Sequence, residues 1–284
     1  PLAEMQLKGR PVFVFNIGAH PEVVTNPYYL CDNLDDMTEK IYNELTGNSK
    51  ISEAVRTADY NRFKAYFTWQ NSAEKLIDEL QDTLIKKRNL MVVMDVTNAC
   101  HDTANTGVMR VTRHIARNLQ SRCPMLFVLW DSSIQQYVLP YAEEVKCLAS
   151  YGGPDEALVT ARSKEEEPRS LLNDTLSQYS DMQKYMLITE TINESTACLL
   201  RKYAARNGMK TAAIFYDAIA IRHPEFCNDE VLQNHKRYMV GLAECDLVLP
   251  ISDASKVDLL KFWQEENIPA TTVSTDLLPG ELEG

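Results

Sequence analysis

The chain alternates between short apolar blocks and polar stretches with helical periodicity. Residues 90–94, 125–130, 186–188, 210–215 and 247–251 are near-continuous apolar runs of strand length, and 270–273 is a shorter one. Such runs read as strands buried on both faces of a parallel sheet. Between them, Val108, Val111, Ile115 and Leu119 fall at helical spacing over 107–119. Residues 137–149, 194–207, 229–243 and 253–263 also read as helices. Gly208 stops one of them and Ser252 caps another. Strand–helix alternation predicts a Rossmann-like, doubly wound parallel sheet with helices on both faces.

The first 85 residues read differently. Residues 2–7 form a short helix that Lys8-Gly9 ends. Val12-Phe13-Val14-Phe15 is a buried strand, followed by a loop over 16–21 and a turn at Asn26-Pro27. Asp35 or Asp36 caps a helix carrying Met37, Ile41, Tyr42 and Leu45. Helical periods recur over 51–67 and 69–84, the second with Ala73, Leu76, Ile77 and Leu80 on one face. One main strand among several helices is an incomplete α/β unit. The division expected is 1–85, a polar linker at 86–89, and 90–284.

Composition narrows the functional classes. The formal net charge is 29 − 40 = −11. That argues against a nucleic-acid surface, which needs a basic stripe. No run of 18 apolar residues is present to span a bilayer. Seven scattered cysteines without a C-x-x-C pair read as thiols in a reducing compartment. Residues 151–169, with the run Lys164-Glu165-Glu166-Glu167, read as a surface loop. The start at Pro1 and the stop beyond Leu278-Pro279-Gly280 read as cut ends.

Candidate chemistry gathers where strands end. Asp95, Glu190, Asp217 and Ser252 each follow an apolar run. In open α/β sheets, ligands bind at the carboxyl edge, so a crevice there would collect these groups. The segment from Asp95 through Thr106-Gly107 into the next helix is a strand, loop and helix start. Its free N–H groups and helix dipole suit an anion.

Several motifs together resemble family-four glycosyltransferases of the GT-B fold. "PLAEMQLKGRPVFVFNIGAHPEVV" looks like the stretch carrying the second glutamate of the E-x7-E motif, and "AYFTWQNSAEKLIDEL" like the Phe-Ser/Thr-Trp tail closing the same donor-binding domain. "DVTNACHDTANTGVMRVTRHIARNL" is similar to the Gly-x-x-Arg-Val opening of the amino-terminal, acceptor-side domain. "AAIFYDAIAIRHPEF" resembles the family's His-Asp-x-Ile-Pro loop, and "YMVGLAECDLVLPISDASKVDLLKFW" its Ala-x-x-Asp, Ser-x-x-Ser-x-x-Asp-Leu element.

The resemblance implies a fragment of a tandem hexosyltransferase of bacterial surface-polysaccharide (O-antigen type) assembly: the tail of one module's donor domain, then the acceptor-side domain of the next. It implies retaining transfer from a nucleotide sugar such as GDP-mannose to a glycan or lipid-linked glycan. No metal motif of the Asp-x-Asp type is present, and no cofactor beyond the donor substrate is implied. The implied setting is the cytoplasm at the inner face of the plasma membrane, with the full-length protein peripherally associated and the rest of the tandem polypeptide as partner. By position, Glu4 contacts the donor ribose, and His20 sits in a donor-side loop. Gly107 lets the backbone approach the diphosphate, and Arg110 pairs with phosphate or a carboxylate. Asp217 orients the acceptor hydroxyl, His223-Pro224-Glu225 shapes the acceptor cleft, and Ser252 faces it from a helix cap. Tyr216, a catalytic candidate beside Asp217, stands where relatives carry histidine, and Ala220 stands where they carry proline. Trp69 reads as packing. Glu4 and Gly107 are expected in different active sites, which would leave this chain alone inactive. The alternatives are a permuted single enzyme and a binding or scaffold domain without the chemistry.

Overall fold

The computed structural model describes residues 2–82, 90–150, 152–154, 169–192, 194–275 and 278. The expected 86–89 linker, nearly all of the 151–169 loop and the Pro279-Gly280 close lie outside the described residues. A seven-stranded sheet organises the fold, in the order β5-β4-β3-β6-β7-β8-β9. Its strands are β3 (Leu90–Asp95), β4 (Met125–Asp131), β5 (Gln136–Val138), β6 (Gln183–Ile188), β7 (Met209–Phe215), β8 (Leu247–Pro250) and β9 (Thr272–Val273). All pairs are parallel except β4 with β5. Strand β3 is buried over five of six positions and β8 over all four, as sheets covered by helices require.

Helices cover both faces. They are α6 (Thr97–His101), α7 (Gly107–Gln120), α8 (Ala142–Cys147), α9 (Leu172–Leu176), α10 (Glu194–Arg206), α11 (Ile219–Arg222), α12 (Asp229–Leu242) and α13 (Asp253–Glu265). Two apolar clusters lie on either side of the sheet. One holds Val92, Met94, Leu119 and Leu249, and the other Val93, Met186, Leu242 and Trp263. Residues alternating along β3 thus enter opposite layers, as the pleat dictates. The expected end signals operate: Gly208 takes φ 64° just past α10, and the Ser252 hydroxyl accepts the Ser255 N–H at 3.0 Å.

Residues 137–149 are a correction. Instead of one helix they form edge strand β5 and then α8, with Pro140 between. Proline disfavours helical backbone at the residue before it and its ring crowds the preceding turn, so the helix starts after Pro140. Residues 98–105 also differ from the expected loop, because α6 occupies their first half.

The first segment comprises α1 (Leu2–Leu7), β1 (Val14–Phe15), α2 (His20–Val23), β2 (Leu30–Cys31), α3 (Leu34–Leu45), α4 (Glu53–Tyr66) and α5 (Trp69–Asp82). The expected buried strand shrinks to two residues paired in parallel with β2, and Phe15 is partly exposed. Asn33, rather than Asp35 or Asp36, caps α3: its side chain accepts the Asp36 N–H at 3.0 Å. The carboxylates of the first turn still favour the helix dipole.

Helix α5 joins this segment to the sheet unit. Its buried face, Trp69, Ala73, Leu76 and Leu80, belongs to the same apolar cluster as Leu90, Ile115 and Leu119. The Trp69 indole stacks on the His114 imidazole at 4.7 Å and 8°. Burial, then Arg117, Arg113 and Arg110, push the His114 pKa down to about 4, so the ring is neutral and accepts from Arg117 at Nδ1, 2.7 Å away. Further along, Glu22 accepts the N–H groups of Asp253 (2.7 Å) and Ala254 (2.9 Å), so a first-segment carboxylate caps α13.

Candidate functional site

Strand β3 has β4 on one side and β6 on the other, so the chain reverses its direction of winding between β3 and β6. The carboxyl ends of strands flanking such a point splay apart and leave a crevice, which is where open α/β sheets bind ligands. Here the register puts Asp95 beside Ile188 at the end of both strands. Two of the four post-strand groups, Asp95 and Glu190, thereby converge. They line a crevice of about 260 Å³, together with Trp130 and Tyr137 of β4 and β5 and with Thr196 and Leu199 of α10.

The two carboxylates are held by donors. Asp95 Oδ1 accepts the Thr97 N–H (3.0 Å) and hydroxyl (2.5 Å), and Oδ2 accepts the Tyr137 hydroxyl (2.7 Å). Glu190 accepts the N–H groups of Ala99 (2.8 Å) and Asn98 (3.3 Å) at the start of α6. Burial, and then the charge of Asp95, push the Glu190 pKa up to about 7. Burial also raises Asp95, against the Thr97 and Tyr137 hydrogen bonds that lower it. A carboxyl group raised toward neutrality, as Glu190 is, is often found at working sites.

This sets a pH dependence. Glu190 has a raised folded-state pKa, so the folded chain binds that proton more tightly than the unfolded chain. Its contribution is fully present below the ordinary value of 4.5 and is lost as pH rises toward about 7. Wild type is therefore expected to lose stability across that window relative to Glu190→Gln. Urea midpoints of both proteins from acid to neutral pH check this, and parallel curves would count against it.

The carried-over residues separate into groups. Tyr216 donates its hydroxyl to the Thr189 carbonyl at 2.6 Å, and burial raises its pKa well above the ordinary tyrosine value. It bridges the ends of β6 and β7 as a fixed donor, so a base at this position would have to shed a tightly held proton. Asp217 Oδ1 accepts the Ile219 N–H at 2.9 Å and its carbonyl accepts from His235, an arrangement that shapes the loop into α11. Ser252 is 2% exposed and its hydroxyl serves the α13 cap, so it does not open onto a cleft. His223 Nδ1 lies 3.2 Å from Glu225 on the surface. His20 Nδ1 lies 2.9 Å from the Phe15 carbonyl.

Glu4 and Arg110 are brought together. Their side chains approach to 3.8 Å, three residues beyond Gly107 at the start of α7. Residues expected in separate sites are thus neighbours in this chain, because α5 carries the first segment onto α7. A Cβ built at Gly107 meets nothing within 4 Å. Packing within the chain therefore does not require glycine there, and the space over the α7 N-terminus is open.

A second buried carboxylate lies behind α6. Glu144, 1% exposed, receives Arg169 through two bonds (2.5 and 2.9 Å), the Tyr141 N–H (2.8 Å) and His101 Nε2 (3.2 Å). Burial alone would raise its pKa, but the His101, Arg169 and Tyr141 hydrogen bonds outweigh that and hold it at about 2.

Sequence reasoning found Asp95 and Glu190 but missed Trp130 and Tyr137. A signal for Tyr137 was present: the short apolar run Tyr137-Val138-Leu139 stopped by Pro140 fits an edge strand. Among the described residues, no helix is long and apolar enough to cross a membrane. No protein-family model, curated protein or solved structure matches the chain.

Proposed function

We propose that residues 90–275 are the acceptor-side α/β unit of a GT-B-type hexosyltransferase, and that residues 2–82 are the closing part of a donor-binding lobe. The observation that carries this is the switch-point crevice. It combines two hydrogen-bond-accepting carboxylates with the aromatic walls of Trp130 and Tyr137, in a recess sized for one sugar ring. Carboxylates accept from sugar hydroxyls, and aromatic faces pack on the C–H face of a pyranose. The open space over Gly107, with Arg110 one helical turn on and Glu4 beside it, suits a nucleotide-sugar diphosphate and its ribose. In this reading catalysis is positioning and charge stabilisation of the leaving diphosphate, with GDP-mannose as the representative donor. The polypeptide works at the cytoplasmic membrane face on a growing glycan.

The test uses NMR and an activity assay on the 284-residue chain. A mannose-containing oligosaccharide is expected to shift the Trp130 indole N–H signal saturably, with that signal assigned by its loss in Trp130→Phe. No sugar transfer from GDP-mannose is expected, because a two-stranded β1–β2 sheet is too small to form a complete donor-binding lobe. Saturable transfer by the chain alone would overturn the incomplete-donor-lobe reading. A silent Trp130 signal at millimolar saccharide would overturn the acceptor reading. A second reading, a binding unit without transfer, is favoured by the commitment of the Tyr216 hydroxyl and Asp217 carboxylate to backbone partners. It predicts saccharide binding with no transfer even when both flanking lobes are supplied.

A further inference from the structure

The charge pattern of the switch-point crevice says more about its ligand than the fold does. Among the described residues lining it, Asp95 and Glu190 supply two carboxylates, and no lysine, arginine or histidine is present. Two acids in one recess lose water and repel each other, a cost that a counter-charge would relieve. The protein supplies dipoles instead: N–H groups from Thr97, Asn98 and Ala99, and the Tyr137 hydroxyl. An anionic ligand would add negative charge to a space in which Glu190 already keeps its proton up to about pH 7. A neutral ligand would leave the imbalance as it is. Part of the lining is aromatic, with Trp130 and Tyr137 edge to face at 5.1 Å, and aromatic rings attract cations electrostatically. The volume of about 260 Å³ falls just below the roughly 300–1,000 Å³ of drug-sized sites, which suits one ring and not a nucleotide.

We infer that the crevice takes a ligand carrying a protonated amine, set between the Asp95 and Glu190 carboxylates and the Trp130 wall. Resting on the glycosyltransferase reading, that ligand is an amino-sugar unit of the acceptor. The inference depends on the cavity, its walls and its pair of acids without a basic side chain together, not on either acid alone.

Calorimetry on the full chain at neutral pH with glucosamine, glucose, cyclohexylamine and Mg²⁺ tests it. Glucosamine is expected to bind at least about tenfold more tightly than glucose, the margin of one charge-assisted hydrogen bond. Glu190→Gln is expected to lose about that factor. Leu199→Lys alters a position that is 52% exposed, so folding is not at stake. It places a competing cation at the mouth, and is expected to abolish glucosamine binding while leaving the urea midpoint unchanged. Equal binding of glucose and glucosamine overturns the amine and leaves the saccharide reading standing. Cyclohexylamine binding as well as glucosamine, with glucose silent, keeps the amine site and removes the sugar. Binding of Mg²⁺ that displaces glucosamine, or glucosamine binding unchanged in both variants, overturns the proposal. So does an absence of any binding.

Discussion

Replacing Leu80 with alanine is expected to lower the stability of the whole chain by about 2–5 kcal/mol, the range for truncating a fully buried leucine. Leu80 has 0% of its surface exposed and lies in the cluster shared by α5, α7 and β3. Removing its isobutyl group leaves a void between the first segment and the sheet unit, and the flanking helices close it only in part. Leu45 is the control: it is 82% exposed on α3, so Leu45→Ala is expected to change stability by no more than about 0.5 kcal/mol. Urea unfolding followed by both tryptophan fluorescence and circular dichroism reads the effect. For Leu80→Ala the midpoint should fall with the slope unchanged, in one transition seen by both probes. A cost below about 1 kcal/mol, or a second transition confined to residues 2–82, would show that α5 does not pack on α7 as described.

The second large effect concerns Glu144. Breaking a buried ion pair by removing one partner strands the other charge, at a cost of about 3–5 kcal/mol. Arg169→Ala removes both of its bonds to Glu144 and leaves a 1%-exposed carboxylate with the Tyr141 N–H and His101. The pH dependence follows from the lowered pKa. The stabilisation is present above the ordinary value of 4.5 and is lost as pH falls toward about 2. A depression of that size corresponds to about 3 kcal/mol in a buried site. Wild type minus Glu144→Gln, measured as urea stability from pH 6 down to 2, should therefore shrink through this acid window. A flat difference would remove the ion pair from the account. This window lies below that of Glu190, so the two carboxylates are separable in one titration series.

The parallel sheet was legible because its signal is local. Residues 90–94 and 247–251 are apolar on both sides of the pleat, a pattern that only a sheet covered on both faces can bury. The end signals were legible for the same reason: Gly208 and Ser252 act within a few residues of themselves. Misreadings came where two local signals competed. Over 137–149 the helical period outweighed Pro140, although proline decides such a contest on steric grounds. At α3 the sequence offered Asp35 or Asp36 as the cap, and side-chain reach selected Asn33 just before them. Strand β2 had no periodicity to read, since two residues show none; only the parallel partner Val14-Phe15 makes it a strand.

What the sequence determined by itself, then, is the α/β alternation, most helix boundaries and the placement of polar groups after strands. Tertiary structure alone decided which of those groups meet. Strand order put β6 next to β3, and so joined Asp95 to Glu190 across more than ninety residues, while Tyr216, Asp217 and Ser252 were drawn into backbone hydrogen bonds. The packing of α5 on α7 likewise set Glu4 beside Arg110. The physical reason is one of range. Propensity, capping and periodicity act over a turn or two of chain, whereas the proton affinity of Glu190 depends on how much water the fold removes from it and on what charge the fold leaves beside it.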